Sequence, residues 1–424
     1  MEYRNRIADG LLERKLKGIG AVLIEGPKLC GKTTTAEQAS RSILYLANPD
    51  EREQNIQIAR LKPSLLLEGD TPRLLDEWQI APEIWDAVRF EVDHRGGFGQ
   101  FILTGSAVPV DRSKLFHSGT GRVAWIKMRT MSLFESGDSS GSIRLRELFD
   151  DHSELGGLGA NEDIEEIAYL ACRGGWPTTL EIEGDIALDR AYDYYDAVVN
   201  IDISRVDHVN RDPERAKRLM KSYARNQGTQ SSFEAIKQDM SVNDSDRLDT
   251  DTVVSYIRAL QKIFVIEDMP AWNPNIRSKT AIRTSDTRYF TDPSIAVAAL
   301  GLGPKDLIRD LNTFGFIFET MCIRDLRVYA DALDGQVYHY RDKSGLECDA
   351  VVHLKDGRYG LIEIKLGGDE NIEHGAETLK TLRDKIDTEK MKEPSFMMVL
   401  VGKGKYAYKR EDGVYVVPIG CLRD

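Results

Sequence analysis

The 424-residue sequence lacks any apolar run of the ~18 to 20 residues that a membrane-spanning helix needs. Its N-terminus, Met-Glu-Tyr-Arg-Asn-Arg, leads into mixed charge and has no apolar signal-peptide core behind it. Its five cysteines are scattered and odd in number, which argues against a disulfide framework, and no CxxC pair indicates a zinc site. We therefore expect a cytoplasmic protein without a membrane partner.

Acidic residues outnumber basic ones, which gives a formal net charge of −12. This argues against a protein that coats nucleic acid non-specifically, although a local basic groove stays open as an alternative. The seven histidines show no metal-ligand spacing, and the chain has no internal repeats. The chain is longer than one ordinary domain, and at roughly 150 residues per domain its length indicates two or three domains.

Three regions differ in their hydrophobic pattern. Residues 1–150 alternate short apolar runs with helical stretches, which predicts an α/β domain with a parallel sheet. Residues 160–300 are mostly helical, and residues 305–424 predict a compact α/β domain. Glycine- and serine-rich loops at 136–142 and 156–159 separate the first two regions. The predicted strands of the first region are Ile19–Glu25, Leu44–Ala47, Arg73–Asp76 and Phe101–Thr104.

The middle region has the element order of a winged helix, a fold that often binds DNA. Its predicted helices are Pro213–Arg225, Ser232–Met240 and Thr252–Leu260, and its strand-like runs are Ile263–Glu267 and Thr287–Thr291. Three acids, Asp246, Asp249 and Asp251, precede the presumed recognition helix and offer phosphates a poor surface. We therefore favour a structural or protein-binding role for this region over DNA recognition.

The last region alternates helices and strands. A helix, Lys305–Tyr329, comes first. The other predicted elements are strands Gln336–Tyr340, Leu346–His353 and Tyr359–Lys365, the helix Glu377–Lys385, and strands Phe396–Val401 and Val414–Val417.

The segment from Gly26 to Thr33 reads Gly-Pro-Lys-Leu-Cys-Gly-Lys-Thr, a complete Walker A loop. It lies between an apolar strand and a helix-compatible stretch, Thr34–Leu46, as a phosphate-binding loop requires. Lys32 would reach the β- and γ-phosphates, and Thr33 would ligate Mg²⁺. The expected ATP contacts are Gly26, Pro27, Lys28, Leu29, Cys30, Gly31, Lys32, Thr33 and Thr34.

Two further strand ends support hydrolysis. Asp76 ends an apolar strand and would hold Mg²⁺ through water, and Glu77 would polarise the attacking water. Phe101–Ser106 ends in hydroxyls, so Thr104 or Ser106 is placed to sense the γ-phosphate. An edge strand with solvated acids is the alternative for the first motif, and an ordinary strand end is the alternative for the second.

The first region resembles prokaryotic AAA-like ATPases over roughly residues 15 to 150. The resemblance is carried by Leu75-Asp-Glu-Trp-Gln-Ile-Ala-Pro82, Leu103-Thr-Gly-Ser106, Gly121-Arg122 and Met131-Ser-Leu-Phe-Glu135. In the last of these, Met131 replaces the usual proline and Leu133 stands one place before Phe134. It implies a P-loop core with a strand inserted between the Walker A and Walker B strands. It also implies that Arg122 completes the site, from the same chain or from a neighbouring subunit of a homo-oligomer. A surface salt bridge is the alternative for Arg122.

This family usually carries a C-terminal domain of unknown function that is similar in fold to PD-(D/E)xK nucleases. Such a site needs two carboxylates for Mg²⁺ and a lysine that positions or activates water. The candidates are Asp349, Glu363 and Lys365, with Glu319 and Glu347 as further acids. DNA or RNA would then be the substrate.

The spacing of these residues predicts a specific register. Glu363 and Lys365 are two apart on a strand and point to one face. If the turn at Lys355-Asp-Gly357 is a three-residue loop, Asp349 lies opposite Glu363 on that face, whereas a two-residue turn would put it on the other. A solvated ion-pair cluster is the alternative.

Three functions remain open from the sequence. The first is an ATPase whose nucleotide state controls a nuclease-like, DNA-binding module. The second is an ATP-dependent regulatory switch, with a regulatory protein partner, whose nuclease-like scaffold no longer cuts. The third is a small-molecule kinase, which is disfavoured because no lid of clustered arginines follows the P-loop core.

Overall fold

A computed structural model describes residues 2–107, 119–150, 163–207, 209–241, 249–274 and 285–424. The predicted loop at 156–159 and Asp246 lie outside these residues. Within this part of the chain, no helix combines the length and apolarity needed to cross a membrane.

The elements are numbered in chain order. The strands are β1 (Ala21–Glu25), β2 (Ser42–Tyr45), β3 (Arg73–Asp76), β4 (Phe101–Gly105), β5 (Val123–Lys127), β6 (Ile143–Arg144), β7 (Gly335–Arg341), β8 (Glu347–Leu354), β9 (Tyr359–Lys365), β10 (Phe396–Val401), β11 (Tyr408–Lys409), β12 (Tyr415–Pro418) and β13 (Leu422–Arg423).

The α-helices are α1 (Ile7–Leu16), α2 (Lys32–Ala39), α3 (Arg52–Leu61), α4 (Ile84–Arg95), α5 (Leu133–Ser136), α6 (Leu145–Phe149), α7 (Ile164–Arg173), α8 (Asp185–Ala197), α9 (Ile203–Arg205), α10 (Pro213–Arg225), α11 (Phe233–Ser241), α12 (Thr250–Lys262), α13 (Pro293–Leu300), α14 (Pro304–Arg309), α15 (Leu311–Ala332) and α16 (Asp369–Lys385). A π-helix, Val198–Asp202, follows α8. Short 3₁₀ helices are Pro63–Leu67, Trp78–Ile80, Pro177–Thr179 and Ile419–Cys421.

The chain folds into two compact units. The first comprises Met1–Thr130, Ile201–Asn210 and Ala259–Phe264, and the second comprises the remaining segments. Two pieces of the predicted middle region thus belong to the first unit.

The first unit contains a parallel sheet with strand order β2-β3-β4-β1-β5. The predicted parallel α/β sheet is therefore confirmed. Strand β4 lies between β1, which precedes the P-loop, and β3, which ends in Asp76, so the inserted strand is confirmed as well. Because the strands are parallel, their carboxyl ends meet at one edge, where open α/β sheets bind ligands.

Both faces of this sheet are covered, which explains the nearly continuous apolar runs in its strands. Neighbouring residues of β1 point to opposite faces. Leu23 packs in one core cluster with Val88 of α4, and Ile24 packs in another with Leu12 of α1.

Strand β5 is missing from the sequence prediction. It is an edge strand in which alternate side chains are exposed, so its apolar run is interrupted. Trp125 is 45% exposed and contacts the ring of Trp85 at a centroid distance of 5.9 Å.

Two predicted helices are shorter in the structure than in the sequence prediction. The stretch Thr34–Leu46 was expected to be helical, but α2 ends at Ala39, because Ser40 adopts an extended backbone. The helix Lys305–Tyr329 is divided into α14 and α15. Asp310 lies between them, and its carboxylate accepts backbone N–H groups in the first turn of α15.

The second unit contains a mixed sheet with strand order β11-β12-β10-β9-β8-β7. The strands predicted for the last region are present within one or two residues of their expected bounds. Helices α15 and α16 pack on this sheet. Val351, Leu361, Leu379 and Val399 belong to the core cluster that α16 forms with the strands.

Helices α10, α11 and α12 lie close to the predicted bounds of the middle region. The Ser232 hydroxyl accepts the N–H of Ala235 at 3.1 Å and so caps α11, as expected. Antiparallel bridges then join Ile266 to Phe290 and Met269 to Thr287. The helix and ribbon order of a winged helix is present, and the winged-helix assignment stays a prediction.

A buried ion-pair network connects four stretches of the second unit. Arg324 Nη1 lies 3.2 Å from Asp292 Oδ2, and both side chains are at most 1% exposed. Asp292 also accepts the backbone N–H of Gly175 at 3.0 Å, and Asp325, which pairs with Arg324, accepts the N–H of Leu133. Desolvation raises the pKa of Asp325 to about 6. The network satisfies charges and backbone donors that burial would otherwise leave unpaired.

We expect Asp292→Ala to destabilise the second unit by about 3 to 5 kcal/mol, because it leaves the Arg324 guanidinium short of a buried partner. Thermal unfolding followed by circular dichroism would measure the loss as a lower midpoint. Asp150→Ala is the control, because its pair with Arg358 is solvent-exposed and should contribute no more than about 1 kcal/mol. Equal midpoints for the two variants would contradict the prediction.

Candidate functional sites

The Walker A loop has the backbone of an anion cradle. Leu29 and Gly31 have φ values of 63° and 99°, and such left-handed residues turn successive N–H groups toward one point. Gly26 packs so closely on the main chain that a Cβ there would lie 2.0 Å from the carbonyl oxygen of Met128. The ammonium of Lys32 is 5% exposed and donates to the carbonyl of Pro27 at 2.7 Å. The loop therefore concentrates positive potential at the start of α2.

Arg6 lies outside the Walker A segment in the sequence but hydrogen-bonds to its backbone. It was not identified from the sequence. Its buried guanidinium donates to the carbonyls of Cys30 at 2.8 Å and Arg129 at 3.0 Å. In a trans peptide the C=O and N–H point in opposite directions. Holding the Cys30 carbonyl therefore fixes the direction of the Gly31 N–H.

Asp76 joins the ends of two strands to the Walker A helix. Its Oδ1 accepts the hydroxyl of Thr33 at 2.7 Å and that of Thr104 at 2.7 Å. Asp76 is 7% exposed and Thr104 is fully buried. The structure thus brings together the predicted Walker A hydroxyl, the Walker B acid and the predicted sensor hydroxyl.

Glu77 has a backbone and a side chain that are both fixed. Its φ of 56° is left-handed, and its N–H donates to Thr104 Oγ1 at 3.1 Å. Its Oε2 accepts the hydroxyl of Ser106 at 3.0 Å and the amide nitrogen of Gln79. A left-handed conformation is unusual for a residue other than glycine and occurs often at functional sites.

Lys28 lies in the Walker A loop and bonds to a distant part of the sequence. Its ammonium donates to Asp202 Oδ1 at 2.6 Å, and the Asp202 side chain is 11% exposed. Asp202 ends the π-helix and belongs to the first unit. No local sequence signal pairs these two residues.

Arg122 is placed where it cannot serve the nucleotide site of its own chain. Its carbonyl accepts the N–H of Ala21, at the amino end of β1, whereas the P-loop follows the carboxyl end. Four residue steps at about 3.3 Å put it about 13 Å from that edge along the strand. Its guanidinium, 45% exposed, bonds to Asp93 at 2.9 Å. The same-chain role is therefore corrected to a surface salt bridge, and a role toward a neighbouring subunit stays a prediction.

The predicted register of the last sheet is confirmed. Strands β8 and β9 are antiparallel, with Ala350 opposite Ile362 and His353 opposite Tyr359. Gly357 is left-handed at φ 85°, as the longer loop requires. Asp349 therefore lies across from Glu363 on the same face.

These two acids share one lysine. Lys365 Nζ lies 3.2 Å from Asp349 Oδ2 and 2.7 Å from Glu363 Oε2. Glu363 is 3% exposed, so the cluster is not a solvated ion-pair ladder. Desolvation, with the charge of Asp349, raises the pKa of Glu363 to about 8. Burial acts to lower the pKa of Lys365, but the two carboxylates outweigh it and hold that pKa above its ordinary value.

Glu319 joins the same centre from α15. Its Oε1 accepts the hydroxyl of Tyr289, a residue that the sequence reasoning missed. Burial and the charge of Asp349 hold the pKa of Glu319 well above its ordinary value. Three carboxylates thus surround a single ammonium.

A cavity of about 260 Å³ opens beside this cluster. Its lining includes Gly228, Gln230 and Tyr289 of the middle region, Glu319 of α15, and Glu347 and Asp349 of β8. A Cβ on Gly228 would lie 2.9 Å from the Phe316 ring and 3.2 Å from Glu319. The middle region is therefore in close contact with the acidic face.

Among the described residues, no three or more His, Cys, Asp or Glu side chains already have the arrangement of a metal site. A cation at the acidic cluster would have to take the position that Lys365 now occupies between Asp349 and Glu363.

The geometry of the first unit agrees with a comparison to known protein families. A family model described as an AAA domain matches residues 19–136, which contain the Walker A loop, Asp76, Glu77 and Thr104. Residues 19–136 form an AAA domain. This match supports nucleotide binding by a domain of the P-loop ATPase type.

Two further family models match outside the AAA domain. Residues 164–306 match the domain of unknown function DUF8612, and residues 314–422 match the domain of unknown function DUF4143. Neither description assigns an activity, so the nuclease-like character of the last region stays a prediction.

Similar proteins add little about activity. Two uncharacterized proteins, Rv2008c of Mycobacterium tuberculosis and Mb2031c of Mycobacterium bovis, are each 25% identical over 374 residues, or 86% of this chain and 74% of theirs. A solved Walker-type ATPase of Pyrococcus abyssi aligns with 12% identity over 70% of this chain and 96% of its own, at a TM-score of 0.41.

The residues of the AAA domain fit ATP with Mg²⁺. Its glycine cradle, the Lys32 ammonium and the start of α2 suit a chain of phosphates. The Thr33 hydroxyl beside the Asp76 carboxylate is a pair of oxygen donors, and hard oxygen ligands are those that Mg²⁺ takes.

We expect Lys32→Ala to weaken ATP binding by about two orders of magnitude, because it removes a buried charge-assisted contact to phosphate. Isothermal titration calorimetry with a non-hydrolysable ATP analogue and Mg²⁺ would measure it. Lys17→Ala is the matched control, because that lysine is exposed and pairs with its helical neighbour Glu13. Unchanged affinity in Lys32→Ala would refute the nucleotide site.

Proposed function

We propose that this protein is a Mg²⁺-dependent ATPase whose nucleotide state controls a metal-dependent, nuclease-like centre in its second unit. The observation that carries the ATPase assignment is the convergence of Thr33, Asp76 and Thr104, with Glu77 held directly beside them. The second part rests on the cluster of Glu319, Asp349, Glu363 and Lys365.

Hydrolysis would use residues at the carboxyl edge of the parallel sheet. Lys32 and the N–H groups of the P-loop bind the β- and γ-phosphates, and Thr33 and Asp76 hold Mg²⁺, which neutralises phosphate charge. Glu77 orients a water and accepts its proton as the water oxygen bonds to the γ-phosphorus. The bond from phosphorus to the bridging oxygen breaks, and ADP and phosphate result. This chemistry is mainly positioning and charge stabilisation.

We expect Glu77→Gln to bind ATP with unchanged affinity and to lose turnover by about 10²-fold or more, because the amide cannot accept the proton. A phosphate-release assay and a binding titration on the same preparation would separate the two effects. Turnover within twofold of the wild-type rate would remove Glu77 from this role.

The charge balance of the second centre supports a divalent cation. If Glu319, Asp349 and Glu363 all ionise, three negative charges face the single positive charge of Lys365. Burial, together with this excess of negative charge, raises the pKa values of Glu319 and Glu363. One divalent cation would neutralise it, and two carboxylates with a lysine are the groups that metal-dependent phosphodiester cleavage needs.

Two contacts support communication along the chain. Lys28 in the P-loop bonds to Asp202, which lies in the stretch matched by DUF8612. The same stretch supplies Gly228 and Tyr289 to the wall of the acidic cavity. A bound nucleotide that attracts Lys28 would break its bond to Asp202. The resulting rearrangement would begin in the stretch matched by DUF8612, which also lines the acidic cavity.

The second candidate is a regulatory switch that no longer cuts. It is favoured by one observation, namely that the Lys365 ammonium already neutralises Asp349 and Glu363 in place of a metal. In that case the cluster serves as a scaffold, and ATP binding rearranges the middle region for a protein partner.

We expect the wild-type protein to cut supercoiled or single-stranded DNA in the presence of Mn²⁺ or Mg²⁺ and Asp349→Ala to lose about 10²-fold or more of that activity, because one metal ligand is missing. Gel assays with and without ATP would measure the cutting and its dependence on ATP. Asp356→Ala, at the exposed β8–β9 turn, is the control and should cut like the wild type. Intact ATP turnover without any cutting would favour the switch.

A further inference from the structure

Gln79 belongs to the Asp-Glu-x-Gln block of the sequence but has no role in the scheme above. It lies in the 3₁₀ helix that follows Glu77. Its amide nitrogen donates to Glu77 Oε2 and lies 3.5 Å from Ser106 Oγ. Ser106 also donates to the same Glu77 oxygen at 3.0 Å. Two neutral donors thus converge on one oxygen of the hydrolytic carboxylate and leave Oε1 available.

The oxygen of the same amide lies beside another buried polar atom. Among the described residues, the buried Gln79 Oε1 has no hydrogen-bond partner, and neither does the indole nitrogen of Trp78. Both atoms face Gly105: a Cβ there would lie 3.1 Å from Trp78 Nε1 and 3.2 Å from Gln79 Oε1. A buried acceptor beside a buried donor is the environment that an ordered water occupies.

The orientation of this amide is set by its partner. An ionised carboxylate only accepts hydrogen bonds, so the nitrogen and not the oxygen of Gln79 must face Glu77. Leaving a buried carbonyl oxygen unpaired costs about 1 to 3 kcal/mol unless a water meets it. The contact to Glu77 therefore leaves Gln79 Oε1 as a buried acceptor that needs a partner.

We propose that Gln79 is the positioning residue of the hydrolytic centre. Its nitrogen, together with Ser106, fixes the Glu77 carboxylate so that Oε1 faces the attacking water. Its oxygen and the Trp78 N–H bind one ordered water over Gly105. The glycine in Leu103-Thr-Gly-Ser106 is thereby explained, because a side chain there would crowd Trp78 and Gln79. This inference rests on the proposed role of Glu77 in hydrolysis.

The first test replaces Gln79 by Leu, which keeps much of its volume and removes both hydrogen bonds. We expect kcat to fall by about 10²-fold, because a loosely held base loses its alignment, while the dissociation constant of the ATP analogue stays within twofold. Phosphate release at saturating ATP and a binding titration would measure the two quantities.

Gln100→Leu is the matched control. Gln100 is buried, its Nε2 also donates and its buried Oε1 also lacks a partner among the described residues. It precedes β4, at the end of that strand opposite Ser106. We expect it to lower the unfolding temperature as much as Gln79→Leu does and to leave kcat within twofold of the wild-type value.

The second test uses Gln79→Glu, which preserves shape and adds a charge beside Glu77. The added carboxylate repels Glu77 and cannot donate the hydrogen bond that the amide donates. We therefore expect kcat to fall at least as far as in Gln79→Leu, while the dissociation constant of the ATP analogue stays within twofold. A purely structural role for Gln79 would change binding and turnover together.

The outcomes separate this inference from the function on which it rests. Loss of turnover in Glu77→Gln, with kcat near the wild-type value in Gln79→Leu, would overturn the role of Gln79 alone. A loss in Gln79→Leu that is equalled in Gln100→Leu would also overturn it. Turnover that survives Glu77→Gln, or is absent from the wild-type protein, would refute both proposals.

Discussion

The nucleotide site depends on the parallel register of one sheet. Because β4 lies between β1 and β3, the carboxyl ends of all three strands meet at one edge. Asp76 then accepts hydroxyls from Thr33 on the Walker A helix and from Thr104 on β4. A change of strand order would separate these groups even if each local motif were kept. The same register explains why Arg122, at the amino end of β5, faces away from the phosphates.

The second unit is governed by an electrostatic constraint. The buried carboxyl groups of its acidic cluster outnumber the positive charges beside them. Lys365 neutralises part of the charge of Asp349 and Glu363, and Glu319 adds a third carboxyl group. Burial makes this arrangement unfavourable for the ionised acids, so their protonation and any cation are coupled. The close packing of Gly228 on the acidic face limits how far the cavity can adjust.

The middle region has a part in both constraints. Its Asp202 bonds to the P-loop residue Lys28 within the first unit, whereas its Tyr289 bonds to Glu319 within the second. The chain between Asp202 and Tyr289 therefore connects the partner of Lys28 to the wall of the acidic cavity.

The sequence by itself determined the features that local chemistry fixes. The glycines and Lys32 of the loop and the shared face of Glu363 and Lys365 follow from loop chemistry and side-chain period. The length of the β8–β9 turn, which places Asp349 opposite Glu363, came from the structure. Tertiary structure alone decided the long-range contacts: Lys28 with Asp202, Arg6 with the Cys30 carbonyl, Tyr289 with Glu319, and the edge position of Arg122. These pairs are separated by tens to hundreds of residues, and no repeating pattern relates their positions. Their proximity arises from packing of the whole chain, which acts on shape and burial and leaves no periodic signal in the sequence.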